Sequence, residues 1–124
     1  MPNTEPVHRV YILLRADLPP VQQIIQAAHA TMEMAWLFPR PEGLVHICLL
    51  EVRDADALQA ARMRLHNAGI GVYAFTEPDM GDGDGDGDGN GDYTAVATEP
   101  LSDDRRQPLK KYKLWGAGQA PLGD

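Results

Sequence analysis

From Val7 to Leu14 the apolar side chains run almost unbroken, with His8 and Arg9 as polar members at the start. A run this apolar is covered on both faces, so it predicts a central strand over 7–15. Pro19 and Pro20 then open a helix to about residue 38, since proline costs nothing where the N–H has no helical acceptor. Asp17 is a candidate cap or turn former there. Val21, Ile24, Ile25, Ala28 and Met32 recur at helical spacing and form the stripe expected to face the core, with Gln22, Gln26, His29 and Glu33 on the other side. Ala27, Ala28 and Ala30 keep the helix slim enough to sit close to a sheet. Trp36, Leu37 and Phe38 widen its apolar face, either as core residues or as the patch of a homodimer. Pro39 and Pro41 stop it.

Leu44 to Val52 predict a second strand, with Cys48 as a buried structural thiol and His46 as a satisfied structural histidine. Asp54 caps a second helix over 55–68, whose stripe is Ala57, Leu58, Ala61, Leu65 and Ala68. Gly69 supplies the left-handed stop. Ile70–Thr76 and Tyr93–Thr98 are the third and fourth strands, and Leu109–Trp115 alternates like a short last one. The order β-α-β-α-β-loop-β predicts a small single α/β domain over 7–115, a mixed four-stranded sheet with packed helices. The third and fourth strands have no helix between them, so they should be antiparallel. Residues 1–6 and 116–124 are flexible tails, and Gly81 to Asp92, an Asp-Gly repeat, is a flexible low-complexity loop that cannot bury apolar area.

The net charge of -7 argues against a nucleic-acid partner only as an average. Asp79, Asp82, Asp84, Asp86, Asp88 and Asp92 account for six of the 18 acids, so the rest of the chain is close to neutral. A basic cluster lies at Arg105, Arg106, Lys110, Lys111 and Lys113. No apolar run reaches membrane-spanning length, the first residues do not look like a signal peptide, and one cysteine allows no internal disulfide. A cytoplasmic protein is expected. The repeat places Asp82, Asp84, Asp86 and Gly87 at positions 1, 3, 5 and 6 of a calcium-hand loop. Position 12 is then Tyr93 rather than Glu, so no specific calcium site is expected, nor any other metal or cofactor.

Three groups carry candidate chemistry. Gln26 and His29 sit one helical turn apart near the end of the first strand, and a neutral imidazole suits proton transfer near pH 7. Glu77 and Asp79 follow the third strand, and Thr94 and Thr98 share a face of the fourth by period two. A carboxylate, a histidine and a hydroxyl converging on a water suit ester hydrolysis; ordinary loop acids and surface polar residues are the plainer reading.

Four local matches resemble the type 2 peptidyl-tRNA hydrolases, the archaeal and eukaryotic kind: Arg15-Ala16-Asp17-Leu18, Gln26-Ala27-Ala28-His29-Ala30, the second helix with Asn67-Ala68-Gly69-Ile70, and Thr76-Glu77-Pro78-Asp79 followed by Tyr93 to Leu101. The similarity covers about residues 7–101. It implies hydrolysis of the ester between an N-blocked aminoacyl or peptidyl group and tRNA, a step serving translation. The implied catalytic residues are His29, Thr94 and one of Glu77 and Asp79, with Gln26, Asp17 and Arg15 binding substrate. The family's Gly-Lys-rich segment is replaced here by Pro19-Pro20-Val21-Gln22-Gln23. Phosphate contact would therefore fall to Arg15, Arg9 and the 105–113 basic cluster. A catalytically decayed RNA-binding or protein-interaction module of the same fold is the alternative.

Overall fold

The computed structural model describes residues 7–76 and 93–116. Its first strand, β1 (His8–Arg15), is buried from Val10 to Leu14, as the unbroken apolar run requires. β1 pairs in parallel with β2 (Val45–Val52), and the helix α1 (Pro20–Leu37) makes the crossover. A second crossover, helix α2 (Ala55–Asn67), leads to β3 (Val72–Phe75). β3 runs antiparallel to β4 (Ala95–Thr98), and β4 antiparallel to β1. Two-residue strands complete the sheet: β5 (Leu101–Ser102) beside β1, and β6 (Lys113–Leu114) beside β2. The strand order is β3-β4-β1-β2-β6, a mixed sheet with β1 central, in one small α/β domain.

The helices lie on opposite faces. Alternate β1 residues Val10, Ile12 and Leu14 join Ala27, Ala30, Met34, Ala95 and Ala97 under α1. Tyr11 and Leu13 join Leu58, Ala61, Leu65, Val96 and Leu101 under α2. α2 follows its sequence closely. The Asp54 carboxylate accepts from Ala57 N at 2.9 Å, Leu58, Ala61 and Leu65 are buried, and Gly69 ends the helix at φ 83°.

Helix α1 departs from expectation. Its buried side consists of Gln23, Gln26, Ala27, Ala30 and Met34. The apolar stripe points outward instead: Val21 is 68% exposed, Ile24 54%, Ile25 40% and Met32 48%. Helical spacing tells which residues share a face, but not which face meets the sheet. Here the flat alanine pair Ala95 and Ala97 receives the small Ala27 and Ala30, and close approach outweighs side-chain size. Trp36 and Leu37 are also exposed, whereas Phe38 packs back into the core. Gly71 is built around that contact, since a Cβ there would sit 2.7 Å from the Phe38 ring.

Four local expectations are resolved or corrected. Asp17 takes the turn role and does not cap α1: Pro19 is the N-cap residue, with no side-chain cap bond. His46 is exposed rather than a satisfied core histidine, because β6 reaches only Leu50 and Glu51 and leaves the first half of β2 at the edge. Cys48 is half-buried against the α2-side core, less enclosed than expected. Residues 109–115 form a tight turn and then β6 rather than one longer strand. The Asp-Gly repeat and both tails lie outside the described residues. No helix among those described is long and apolar enough to cross a membrane.

Candidate functional site

The end of β1 that carries Arg15 also holds the end of β3, the start of β4 and the first half of α1. Thr94 lies just before β4, with its N–H bonded to Phe75 O at 2.8 Å. Its hydroxyl is within 2.8 Å of Gln26 Oε1 and 3.1 Å of Phe75 O, and shares one proton between them. Both residues are buried, Gln26 completely. A glutamine and a threonine in an apolar interior are tolerable only when paired, so this bond fixes where α1 stands over the strands.

His29, one turn further along α1, stacks on Phe75 with ring centroids 4.7 Å apart and planes at 5°. Aromatic stacking fixes the imidazole plane while leaving its nitrogens at the ring edge. Gln26, His29 and Thr94 are thus brought together, as their sequence positions suggested. Thr98 is not part of the group. Its hydroxyl accepts from Tyr11 N at 3.1 Å and donates to Glu99 O at 2.8 Å, holding the far end of β4. Glu77 and Asp79 fall outside the described residues.

Arg15 closes one side. Its guanidinium grips Asp17 through two bonds, 3.0 and 2.9 Å, and donates to Tyr93 O at 3.3 Å. The Arg15 hydrogen bond is the main reason that the Asp17 carboxyl is held below its ordinary value. Beside this pair is a depression of about 330 Å³ lined by Ala16, Asp17, Glu51, Val52, Arg53 and Lys113. It lies at the carboxyl ends of β1 and β2, where open α/β sheets commonly bind ligands. Its walls mix two acids and two bases, and Lys113 is 3.5 Å from Glu51.

The other basic residues are spread out. Arg9 stands at the opposite end of β1 and pairs with Asp103. Six residue steps of extended chain separate it from Arg15, about 20 Å. Arg106 approaches Asp103 at 3.7 Å and is also bonded to Tyr11, which raises its pKa. Arg105 binds Glu99 at 3.0 Å. Lys110 and Lys111 are exposed, with Lys111 over the Tyr112 ring. The 105–113 cluster is therefore not one patch, and it does not gather around His29.

Sequence reasoning missed two supporting contacts. Phe75 backs His29, and its only signal was an aromatic residue near the end of a strand. Trp115 Nε1 donates to Gln23 Oε1 at 2.7 Å, tying the chain after β6 to the buried side of α1. Nothing in the spacing of Gln23 and Trp115 pointed to that pair. Among the described residues no group of His, Cys, Asp and Glu is arranged to hold a metal.

No family model matches the chain, and no curated protein matches it. Fourteen chains of solved structure do. One is the protein of unknown function Atu0240 from Agrobacterium tumefaciens strain C58, at 15% identity and a TM-score of 0.60. The match covers 86% of this chain and 96% of that one, so the α/β architecture is shared over almost the whole of both.

Proposed function

We propose that this chain hydrolyses the ester joining an N-blocked aminoacyl or peptidyl group to tRNA. The observation that carries the reading is the buried Thr94–Gln26 hydrogen bond beside the stacked His29, at the sheet end flanking Glu77 and Asp79. The resemblance in Gln26-Ala27-Ala28-His29-Ala30 and in Arg15-Ala16-Asp17-Leu18 supports the same substrate.

Glu77 or Asp79 orients or deprotonates the attacking water. His29 shuttles a proton or holds the substrate, with its ring plane set by Phe75. The Thr94 proton is directed at Gln26 and Phe75, so toward substrate its oxygen acts as an acceptor for water or an N–H. Gln26 is fully buried and works by holding Thr94 in place. The Arg15–Asp17 pair, Arg9 and the 105–113 residues are too widely spaced for one phosphate, and suit successive phosphates of a nucleic-acid backbone.

Purified N-blocked aminoacyl-tRNA is the test substrate. Release of the blocked amino acid should fall by roughly 10²-fold or more in His29→Ala, and comparably in the Glu77 or the Asp79 amide variant. An interaction module without catalysis is the second reading, favoured by the exposed apolar side of α1. tRNA binding without turnover by the wild type would select an RNA-binding module. A stable protein partner with neither binding nor turnover would select a protein-interaction module.

A further inference from the structure

Val21, Ile24, Ile25, Ala28, Met32, Ala35 and Trp36 all fall on the outward side of α1, and each is exposed. Val21, Ile24, Ile25, Met32 and Trp36 are 40–72% exposed and adjoin one another, a contiguous apolar patch of the kind that marks an interaction surface. Glu33 is the helix's sole Asp, Glu, Lys or Arg, and it lies off this side among the partly buried residues. An apolar stripe with no charge along it is not an ordinary solvated helix face.

We propose that a second copy of this chain covers the stripe, with the two α1 helices packed antiparallel about a twofold axis through Ala28. The helix spans Pro20–Leu37, so Ala28 lies beside its midpoint. Rotation about Ala28 brings Ile24 of one copy opposite Met32 of the other, and Val21 opposite Ala35, with Ile25 and Trp36 flanking. The same patch therefore complements itself, as a twofold interface demands. Ala28 at the axis and Ala35 near the end let the helix axes approach to the short end of the usual ~8–10 Å. The stripe forms the apolar centre of the roughly 800 Å² that each partner gives to a stable interface. No like charges meet across the seam. Helices that lie on lipid carry Lys or Arg along the polar flank, and α1 has none, so the surface suits a protein partner better than a bilayer.

The sheet next to the helix extends the patch. Ile47 pairs with Val10, whose side chain is under α1, so Ile47 is on the same face of the sheet, and it is 57% exposed. α1 stands over β1, β3 and β4, and a partner helix would shelter the apolar ground left above β2.

Sedimentation velocity of the full chain at tens of micromolar tests the interface. Twice the chain mass is expected for the wild type. Ala28→Arg and Met32→Glu, both at exposed positions, should each weaken association at least tenfold while leaving circular dichroism unchanged. A geometric readout is independent of those variants. Ala28→Cys in a Cys48→Ser background should form an intermolecular disulfide under mild oxidation, and Gln59→Cys on α2 in that background should not. A wild type that stays monomeric overturns the proposal, including one that instead co-sediments with phosphatidylcholine–phosphatidylserine vesicles. A dimer that survives both Ala28→Arg and Met32→Glu and is broken by Ile47→Arg also overturns it, placing the contact at β2. None of these readouts depends on catalysis.

Discussion

Thr94 and Gln26 make the interaction on which the candidate site turns, and its cost of removal is open to measurement. Thr94→Val keeps the shape but leaves the Gln26 carbonyl facing an apolar group. It should destabilise the chain by about 1–3 kcal/mol in urea unfolding, and Thr94→Ser should recover much of the loss. An unchanged midpoint in Thr94→Val would mean the bond fixes nothing. Asp17 gives a pH dependence at the same scale. Arg15 holds its folded-state pKa below the unfolded value of 3.8, so the pair's contribution is complete above that pH. It is lost as pH falls below 3.8 and through the depressed folded value. Asp17→Asn should flatten this part of the acid-stability curve and leave the slope near neutrality alone. The proximity of Gln26, His29 and Thr94 was legible because polar types on α1 and at the start of β4 fall at the same end of the sheet. That Gln26 is wholly buried was not legible, since its partner is 68 positions away.

Among the elements, β1 and α2 could be read from the chain because each has a single way to satisfy its pattern. Five consecutive buried residues fit only a strand covered on both faces. Asp54, the Leu58–Leu65 stripe and Gly69 agree with one another at both ends and on one face of α2. Helix α1 has no such agreement. Both of its sides are largely free of charge, and the choice between them is made by what Ala95 and Ala97 accept. The short β6 was overdrawn for a related reason. Alternation over 109–115 mimics a strand, while the burial of Leu109 and the Trp115–Gln23 bond need a turn between them. Gly71 offers the test at this scale. Gly71→Ala should destabilise by about 1–3 kcal/mol through its clash with Phe38, and Phe38→Leu in the same chain should relieve part of it. Strict additivity of the two substitutions would show that the ring and the glycine do not meet.

At the scale of the molecule, charge and catalysis meet in the proposed reading. Seven acids, Glu77 and six aspartates, fall between β3 and β4 in the sequence, and phosphate repels them. Deleting residues 82–91 should tighten tRNA binding, most visibly at low salt, in a filter-binding titration. Equal affinity at every salt concentration would separate the acidic repeat from the RNA. Ester hydrolysis is decided by multiple-turnover assay of N-blocked aminoacyl-tRNA with the purified chain. Release should run well above the buffer rate and fall by roughly 10²-fold or more in His29→Ala. A wild type that releases no faster than buffer is not a hydrolase of this ester.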